Sequence, residues 1–535
     1  MKDEDLRKHG DTLRSAAGVR RVIRRAVLCV LALTLLLGPV GSTPVAAEPP
    51  AEPNRASPAE DRAGEPRGEE LALTLTEAVL MALSNNRSLS VQRLEPGIQR
   101  TFEAEAREQF DPFLSAEAVV QRQVGERQAD AVGSVNLIRN DDQGFIALEN
   151  FFPTGTRVAL EASTARSDSN QFDRELVVSR IGIAVDQALL RGFGPAVNLA
   201  ELRRARLQTE ISIYELRGFS EALIAEVENA YWDLALALRQ VTIVQESLEV
   251  ARQQLAETEV MIAVGTLPES ELAAVQAQVA VQQQALIEVN SQTSAERLRL
   301  LRLLNPPGEN FWERTIVLLR PPSVPDVTLA PADEHTATAL RMRSELKQAA
   351  LEIQQGELTV VQTRNGLLPR LDLFVGLGRS GYADSFRGSV DDFSAENYDT
   401  LVGLRLELPV LNRAAKARHQ RALTTVEQSE RALANLRQLV EWDVRRALLE
   451  VNRSRRQIAA STATRVFREE NLRVETEKFR VGRSTNFQVA QAQRDLTVSR
   501  LEEVRAVVAY LQALTDLYRL EGTLLERWGV GLPDA

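Results

Sequence analysis

The segment Leu371-Asp372-Leu373-Phe374-Val375 alternates in side-chain polarity, and it follows a helical stretch from Ala337 to Arg364 and the tripeptide Leu367-Leu368-Pro369. The first half of the chain repeats this order. A helical stretch from Ala78 to Glu108 precedes a second set of matching segments: Phe110-Asp111-Pro112 and the alternating Leu114-Ser115-Ala116-Glu117-Ala118. Each half then continues with another alternating segment and two very long helical runs joined by a short turn. The sequence therefore predicts an internal two-fold repeat of strands and long helices.

The alternating segments have the pattern of membrane strands. Leu371, Leu373, Val375 and Leu377 share one face, and the returning segments are Val402 to Leu408 and, in the first half, Ile181 to Val185. A half-buried soluble sheet shows the same alternation. These strands, however, are few and isolated between very long helices, and loops such as 379–397 separate them. Apolar-out, polar-in strands of about ten residues are typical of membrane barrels. Too few are recognised to close a barrel, so the barrel must be shared among subunits.

Residues 145–165 leave the strand count open. Residues 157–162 alternate after the turn Pro153-Thr154-Gly155, and a weaker segment from Phe145 to Leu148 could pair with them. These segments either cross the membrane or form an extracellular flap.

The long helical runs contain few residues that interrupt a helix. Asn198 to Ala263 has no proline, Leu272 to Leu304 returns, and Ala414 to Phe479 with Asn486 to about Leu520 repeats this arrangement. At 1.5 Å per residue the longest runs reach on the order of 100 Å. Their apolar positions are mostly Ala, Val and Leu, which favours a thin coiled-coil-like seam.

The N-terminus predicts export. Four arginines, Arg20, Arg21, Arg24 and Arg25, precede an apolar run from Ala26 to Leu37, and Val45-Ala46-Ala47 offers a cleavage site. That run is shorter than the roughly 20 residues of a membrane-spanning anchor. The only cysteine, Cys29, lies in this signal, so the mature chain would have no disulfide or thiolate metal site.

Composition argues against several function classes. The net charge of −10 arises from 64 basic and 74 acidic residues that are interspersed, so there is no basic surface for nucleic acid. Neither His335 nor His419 has a partner at metal-ligand spacing, and both are interpreted as solvated, as are helical carboxylates such as Glu226 and Glu228. We expect no catalytic residues, no cofactor and no metal, and hence no enzyme.

The repeated order resembles the TolC-like family of bacterial outer membrane efflux proteins. Three groups of segments carry the resemblance: Leu189-Leu190-Arg191-Gly192-Phe193-Gly194, Glu228-Asn229-Ala230-Tyr231-Trp232-Asp233, and the paired turns Val264-Gly265-Thr266-Leu267-Pro268 and Val481-Gly482-Arg483-Ser484-Thr485. The resemblance implies a membrane channel of the α/β class that is mainly α-helical. It also implies a homotrimer whose strands form one transmembrane β-barrel in the outer membrane. Its helices would form a coiled-coil tunnel through the periplasm.

The resemblance also implies partners and site residues. A periplasmic adaptor (membrane fusion) protein, and through it an inner-membrane RND or ABC transporter, would meet the turns at Gly265, Thr266, Leu267, Gly482, Arg483 and Ser484. The periplasmic constriction would involve Glu271, Phe479, Gln488 and Gln491. Many relatives carry aspartates at the last two positions, so an acidic, cation-binding ring is not expected here.

The implied organisation is a signal peptide (1–47), a disordered linker (48–70), a first repeat (71–305), a connector (306–335), a second repeat (336–525) and a tail (526–535). The function implied is a passive exit duct for small molecules. The exit channel of a type I protein secretion system has the same fold, and a trimeric coiled-coil surface protein is an alternative from another class. The last explains neither the mirrored turns nor the alternating strands.

Overall fold

A computed structural model describes residues 70–129, 133–169, 175–394 and 396–530, and side chains are described except at 126–137. The predicted signal peptide and its cleavage site lie outside the described residues. Two helical hairpins dominate the structure. The first joins α5 (Ala200–Ala263) to α6 (Ser270–Leu304), and the second joins α10 (Arg413–Arg480) to α11 (Asn486–Glu521).

Shorter elements complete the helical part. They are α1 (Leu75–Asn85), α2 (Arg87–Gln92), α3 (Glu95–Arg107), α4 (Pro195–Asn198), α7 (Ala332–Met342), α8 (Ser344–Asn365), α9 (Phe386–Asp391) and α12 (Leu524–Arg527). Strands β1 (Glu70–Leu73) and β6 (Thr315–Leu318) pair in parallel. No helix among the described residues is both long and apolar enough to cross a bilayer.

One antiparallel sheet of six strands lies at the end of the helices, in the order β2-β3-β4-β5-β7-β8. Its strands are β2 (Phe113–Ala129), β3 (Gly133–Phe152), β4 (Thr156–Ser169), β5 (Leu176–Ala188), β7 (Arg370–Ala383) and β8 (Tyr398–Glu407). The first half of the chain thus supplies four strands and the second half two. Residues 145–165, whose role the sequence leaves open, belong to β3 and β4 and pair with the rest of the sheet.

The helical stretch expected from Ala78 to Glu108 is instead divided among three helices. Asn86 separates the first two, because its side chain accepts the Leu89 N–H at 3.0 Å and donates to the Leu303 carbonyl at 2.9 Å. Both bonds hold Asn86 in an extended conformation with ψ of 123°, which ends α1 and caps α2. Thr74 and Glu77 form a capping box at the start of α1.

Two apolar clusters hold the helices together. The first joins β1, α1, α5, α6 and α12, with Tyr231, Leu300 and Leu525 at its centre. The second joins α7, α8, α10 and α11 around Val440, Val444 and Leu517. Toward the turns several buried positions are polar, as at Ser247, whose hydroxyl lies 2.9 Å from that of Thr497.

Candidate functional site

The two hairpin turns have the same backbone geometry. Gly265 and Gly482 have φ angles of +80° and +72°, which L-amino acids with a Cβ rarely adopt. In the first turn the N–H of Gly265 bonds to the Ile262 carbonyl and that of Thr266 to the Met261 carbonyl, both at 2.9 Å. This pattern is the Schellman ending of a helix.

The second turn repeats these bonds. The N–H of Gly482 reaches the Phe479 carbonyl at 2.9 Å, and that of Arg483 reaches the Lys478 carbonyl at 2.8 Å. A Cβ on either glycine would have no atom within 4 Å, so both turns face open space. The six residues predicted to meet an adaptor therefore lie on two alike turns.

Side chains fix the second turn more strongly than the first. Thr485 and Gln488 form a capping box at the start of α11, and the Ser484 hydroxyl lies 2.8 Å from both Glu475 and Gln488. In the first turn the Thr266 hydroxyl bonds to the Met261 carbonyl at 2.8 Å. Gln488, predicted at the constriction, therefore has a structural role as a cap.

Polar contacts join the two hairpins just behind the turns. Asn486, which is buried, donates to Glu271 at 3.3 Å and accepts a hydrogen bond from Gln254 at 3.0 Å. Farther along, Arg494 donates to Gln278 at 3.3 Å and to Gln491 at 2.7 Å.

The four residues predicted at the constriction take part in different contacts. The structure places Glu271 in the contacts between the hairpins, whereas Gln491 bonds to Arg494 and Asp495 within α11. Gln488 caps α11, and the half-buried Phe479 contributes its carbonyl to the second turn.

The segment from Glu228 to Asp233 lies where the two repeats meet. Glu228 is buried and accepts hydrogen bonds from Thr515 at 2.5 Å and from the Trp528 indole at 2.6 Å. Burial raises the pKa of its carboxyl. Asp233 accepts from Arg299 at 2.9 Å and from Gln512 at 2.7 Å. The interpretation of Glu228 as a solvated carboxylate was wrong, because its partners lie near the far end of the chain.

His335 is also buried rather than solvated, and its Nδ1 contacts a carboxylate oxygen of Glu521. Glu521 in turn accepts from Thr523 at 3.2 Å. The contact ties the first turn of α7 to the end of α11. His419 lies 3.1 Å from the Thr363 hydroxyl and is partly buried. Glu226 is exposed, as expected, with Arg302 at 3.5 Å.

The segment from Leu189 to Gly194 joins the sheet to the helices of both repeats. Gly192 and Gly194 have φ near +90°, and the N–H of Gly192 bonds to Asn365 at 2.8 Å. Asn198 donates to the carbonyls of Gly192 and Pro153 at 2.8 and 2.9 Å. The segment thus forms the connection between β5 and α4.

Family and fold comparisons agree with this architecture. The model of the family described as "Outer membrane efflux protein" matches residues 337–523. No curated protein sequence matches the chain.

Three solved structures show the same fold. The outer-membrane channel OprN is 17% identical with a TM-score of 0.63, over 84% of this chain and 89% of that one. A membrane protein from Pseudomonas aeruginosa is 20% identical with a TM-score of 0.63, over 89% and 96%. The Campylobacter jejuni CmeC outer membrane channel is 14% identical with a TM-score of 0.61, over 90% and 96%.

The predicted resemblance to TolC-like outer membrane efflux proteins is therefore confirmed, and so is the fold class of long helical hairpins with an antiparallel strand domain. The fold is the one seen in the OprN and CmeC outer-membrane channels. The expected outer-membrane location and non-enzymatic role agree with the description of the matched family.

Proposed function

We propose that this chain is one subunit of a homotrimeric exit channel in the bacterial outer membrane. It would act as a passive duct of a tripartite efflux system for small molecules. One combination of features supports this most strongly. A sheet that exposes apolar side chains lies at one end of the long helices. The two helical hairpins carry matching turns at the other end.

The exposed apolar side chains on the helices favour assembly with further copies. On α2, α3 and the two residues between them, Val91, Leu94, Ile98 and Phe102 follow one another at helical spacing and are 48–70% exposed. On α10, Trp442, Leu449 and Phe467 are 54–74% exposed. Large apolar side chains exposed along one side of a helix indicate an interaction site. Neighbouring subunits in a ring would cover it, and the helices would then enclose a tunnel.

The turns would be the docking surface for the periplasmic adaptor, which connects the channel to an inner-membrane RND or ABC transporter. Gly265, Thr266 and Leu267 would contribute from one hairpin, and Gly482, Arg483 and Ser484 from the other. Glu271, Phe479, Gln488 and Gln491 would lie at the narrow entrance. The proposed organisation keeps the repeats at 71–305 and 336–525, with a connector at 306–335.

Bulky and small substitutions at the second turn test this role. Gly482→Trp would project into open space, so we expect wild-type trimer in the outer membrane but lost export, measured as drug accumulation in a strain lacking its own channel. Gly482→Ala is the matched control and should export normally. Equal loss of trimer and export in Gly482→Trp would assign the glycine a structural role only. Unchanged export would exclude the turn as the docking surface.

Deletion of the gene distinguishes export of small molecules from export of proteins. Accumulation of small toxic compounds supports an efflux duct. Retention of a secreted protein, with unchanged drug tolerance, would instead support a type I secretion channel.

A further inference from the structure

The exposed face of the six-stranded sheet carries an unbroken row of large apolar side chains. Leu114, Leu148, Leu160, Ile183 and Leu377 are consecutive register partners on β2, β3, β4, β5 and β7. Each is between 41% and 50% exposed. On the neighbouring rows of this face lie further apolar residues: Ile146, Ala162, Ile181, Val185, Val375, Val402 and Leu404. We refer to this surface as the apolar band.

On the opposite face, charged side chains of different strands form ion pairs. Arg180 on β5 lies 3.8 Å from Glu161 on β4 and 2.6 Å from Asp399 on β8. To reach β8 its side chain crosses Gly378 on β7, where a Cβ would lie 2.7 Å from the guanidinium. Strands of a transmembrane barrel have this arrangement, with exposed apolar residues on the face that meets lipid and charged residues on the face that meets the water-filled lumen.

The apolar band has the same height on strands of both halves. Counted from the strand ends nearest the helices, the first charged residue on this face comes nine or ten positions along: Arg122 on β2, Asp142 on β3, Arg166 on β4 and Arg379 on β7. Nine or ten residues of a strand tilted by about 40° rise roughly 25 Å, the height of the apolar belt of an outer-membrane barrel. On β8 the exposed Tyr398 lies at the same level, where aromatic girdles occur.

We propose that all six strands cross the outer membrane, including β3 and β4, so that three copies close a barrel of eighteen strands. This inference rests on the trimer of the proposed function. The open edges of each sheet, β2 and β8, would pair with those of neighbouring copies, because an unpaired strand edge cannot remain in lipid. Four strands a chain, as the clearest sequence patterns alone indicate, would give twelve.

The strand number sets the width of the passage. With strands about 4.8 Å apart and tilted by about 40°, eighteen strands give a backbone radius of about 18 Å, against about 12 Å for twelve. Barrels of sixteen to eighteen strands leave an aqueous channel. The membrane part of this channel would therefore pass bulky solutes, and size selection would occur where the helices narrow.

Arginine substitutions along one register row test the inference. An arginine on the lipid face near the midplane strongly destabilises a barrel, whereas one on the lumen face does not. We expect Leu148→Arg and Leu160→Arg to reduce trimer in the outer membrane at least tenfold, as much as Leu377→Arg on β7. Ala165→Arg, at an exposed position on the opposite face of β4 between Gln143 and Val178, is the matched control and should assemble normally.

The outcomes separate the two proposals. Normal assembly of Leu148→Arg and Leu160→Arg, with loss of Leu377→Arg, would place β3 and β4 outside the membrane and refute the eighteen-stranded barrel. Normal assembly of all three would refute the membrane sheet itself and with it the proposed function.

A spin label gives a second readout on folded protein. Since Cys29 lies in the predicted signal peptide, a cysteine placed at position 160 would be unique in the mature chain. Its label should be as accessible to oxygen, and as shielded from a water-soluble nickel complex, as one at position 377. Preferential access of the nickel complex at position 160 alone would overturn the inference.

Discussion

Replacing Glu221 with glutamine should stabilise the protein above pH 7 and change its stability little near pH 4.5. Glu221 is 5% exposed on α5, and its Oε1 lies 3.3 Å from Nε of Arg217. Burial raises the pKa of the Glu221 carboxyl from 4.5 to about 7. Glu526 and Glu345 raise the pKa further, and Arg217 opposes them.

The magnitude follows from the two pKa values. A rise from 4.5 to about 7 corresponds to about 3 kcal/mol at pH values above 7. Below pH 4.5 the carboxyl is protonated in the folded and unfolded states, so it costs nothing. Between pH 4.5 and 7 only the unfolded chain ionises, so stability falls as pH rises, and above pH 7 the cost is constant. Glutamine carries no charge and removes this dependence.

Unfolding by heat or urea, followed by circular dichroism at 222 nm from pH 4.5 to 8, measures the difference. Arg217 keeps the Gly522 carbonyl and Glu526 as partners in the variant. Glu226→Gln, an exposed change on the same helix, is the control and should show no comparable gain. If Glu221→Gln gained equal stability at pH 5 and pH 8, or lost stability at pH 8, the inference that burial raises the pKa of Glu221 would be refuted.

Three further changes test other parts of the structure. His335→Ala should lower the free energy of unfolding by about 1–3 kcal/mol, because it removes one of the two partners of the buried Glu521 and leaves Thr523 alone, and His335→Gln should recover part of this loss. Gly482→Ala should cost about 1 kcal/mol because of its φ of +72°, whereas Gly97→Ala, within α3 and with equally open space, should be neutral or stabilising. Asp233→Ala should cost about 1–3 kcal/mol through its bonds to Arg299 and Gln512, and unchanged urea midpoints would contradict that role.

The long helices could be predicted closely because their signal is local. The absence of proline and the helical period place the end of α5 at Ala263 and the start of α11 at Asn486, as the structure has them. Both tip glycines are likewise local signals, since each ends a helix. The number of strands was harder to predict, because Asn140, Asp141 and Asp142 interrupt the alternation of β3. Its place in the sheet depends on pairing with β2 and β4.

Buried polar groups could not be predicted, because their partners lie far along the chain. Glu228 bonds to Trp528, 300 residues later, and His335 to Glu521, 186 residues later. Neither residue differs locally from a solvated one on a helix. The burial of Glu228 could have been suspected only from its place in the segment that carries the family resemblance.

The polar contacts between the hairpins have a consequence for the turns. A seam of Ala, Val and Leu between helices of 64 and 36 residues specifies register weakly, and each residue of slippage would displace a turn by about 1.5 Å. Hydrogen bonds permit only one register, as buried polar groups do in coiled coils. Glu228–Thr515, Ser247–Thr497 and Gln254–Asn486 connect α5 to α11 at three heights. These bonds therefore hold the two turns level, which a docking surface built from both turns requires.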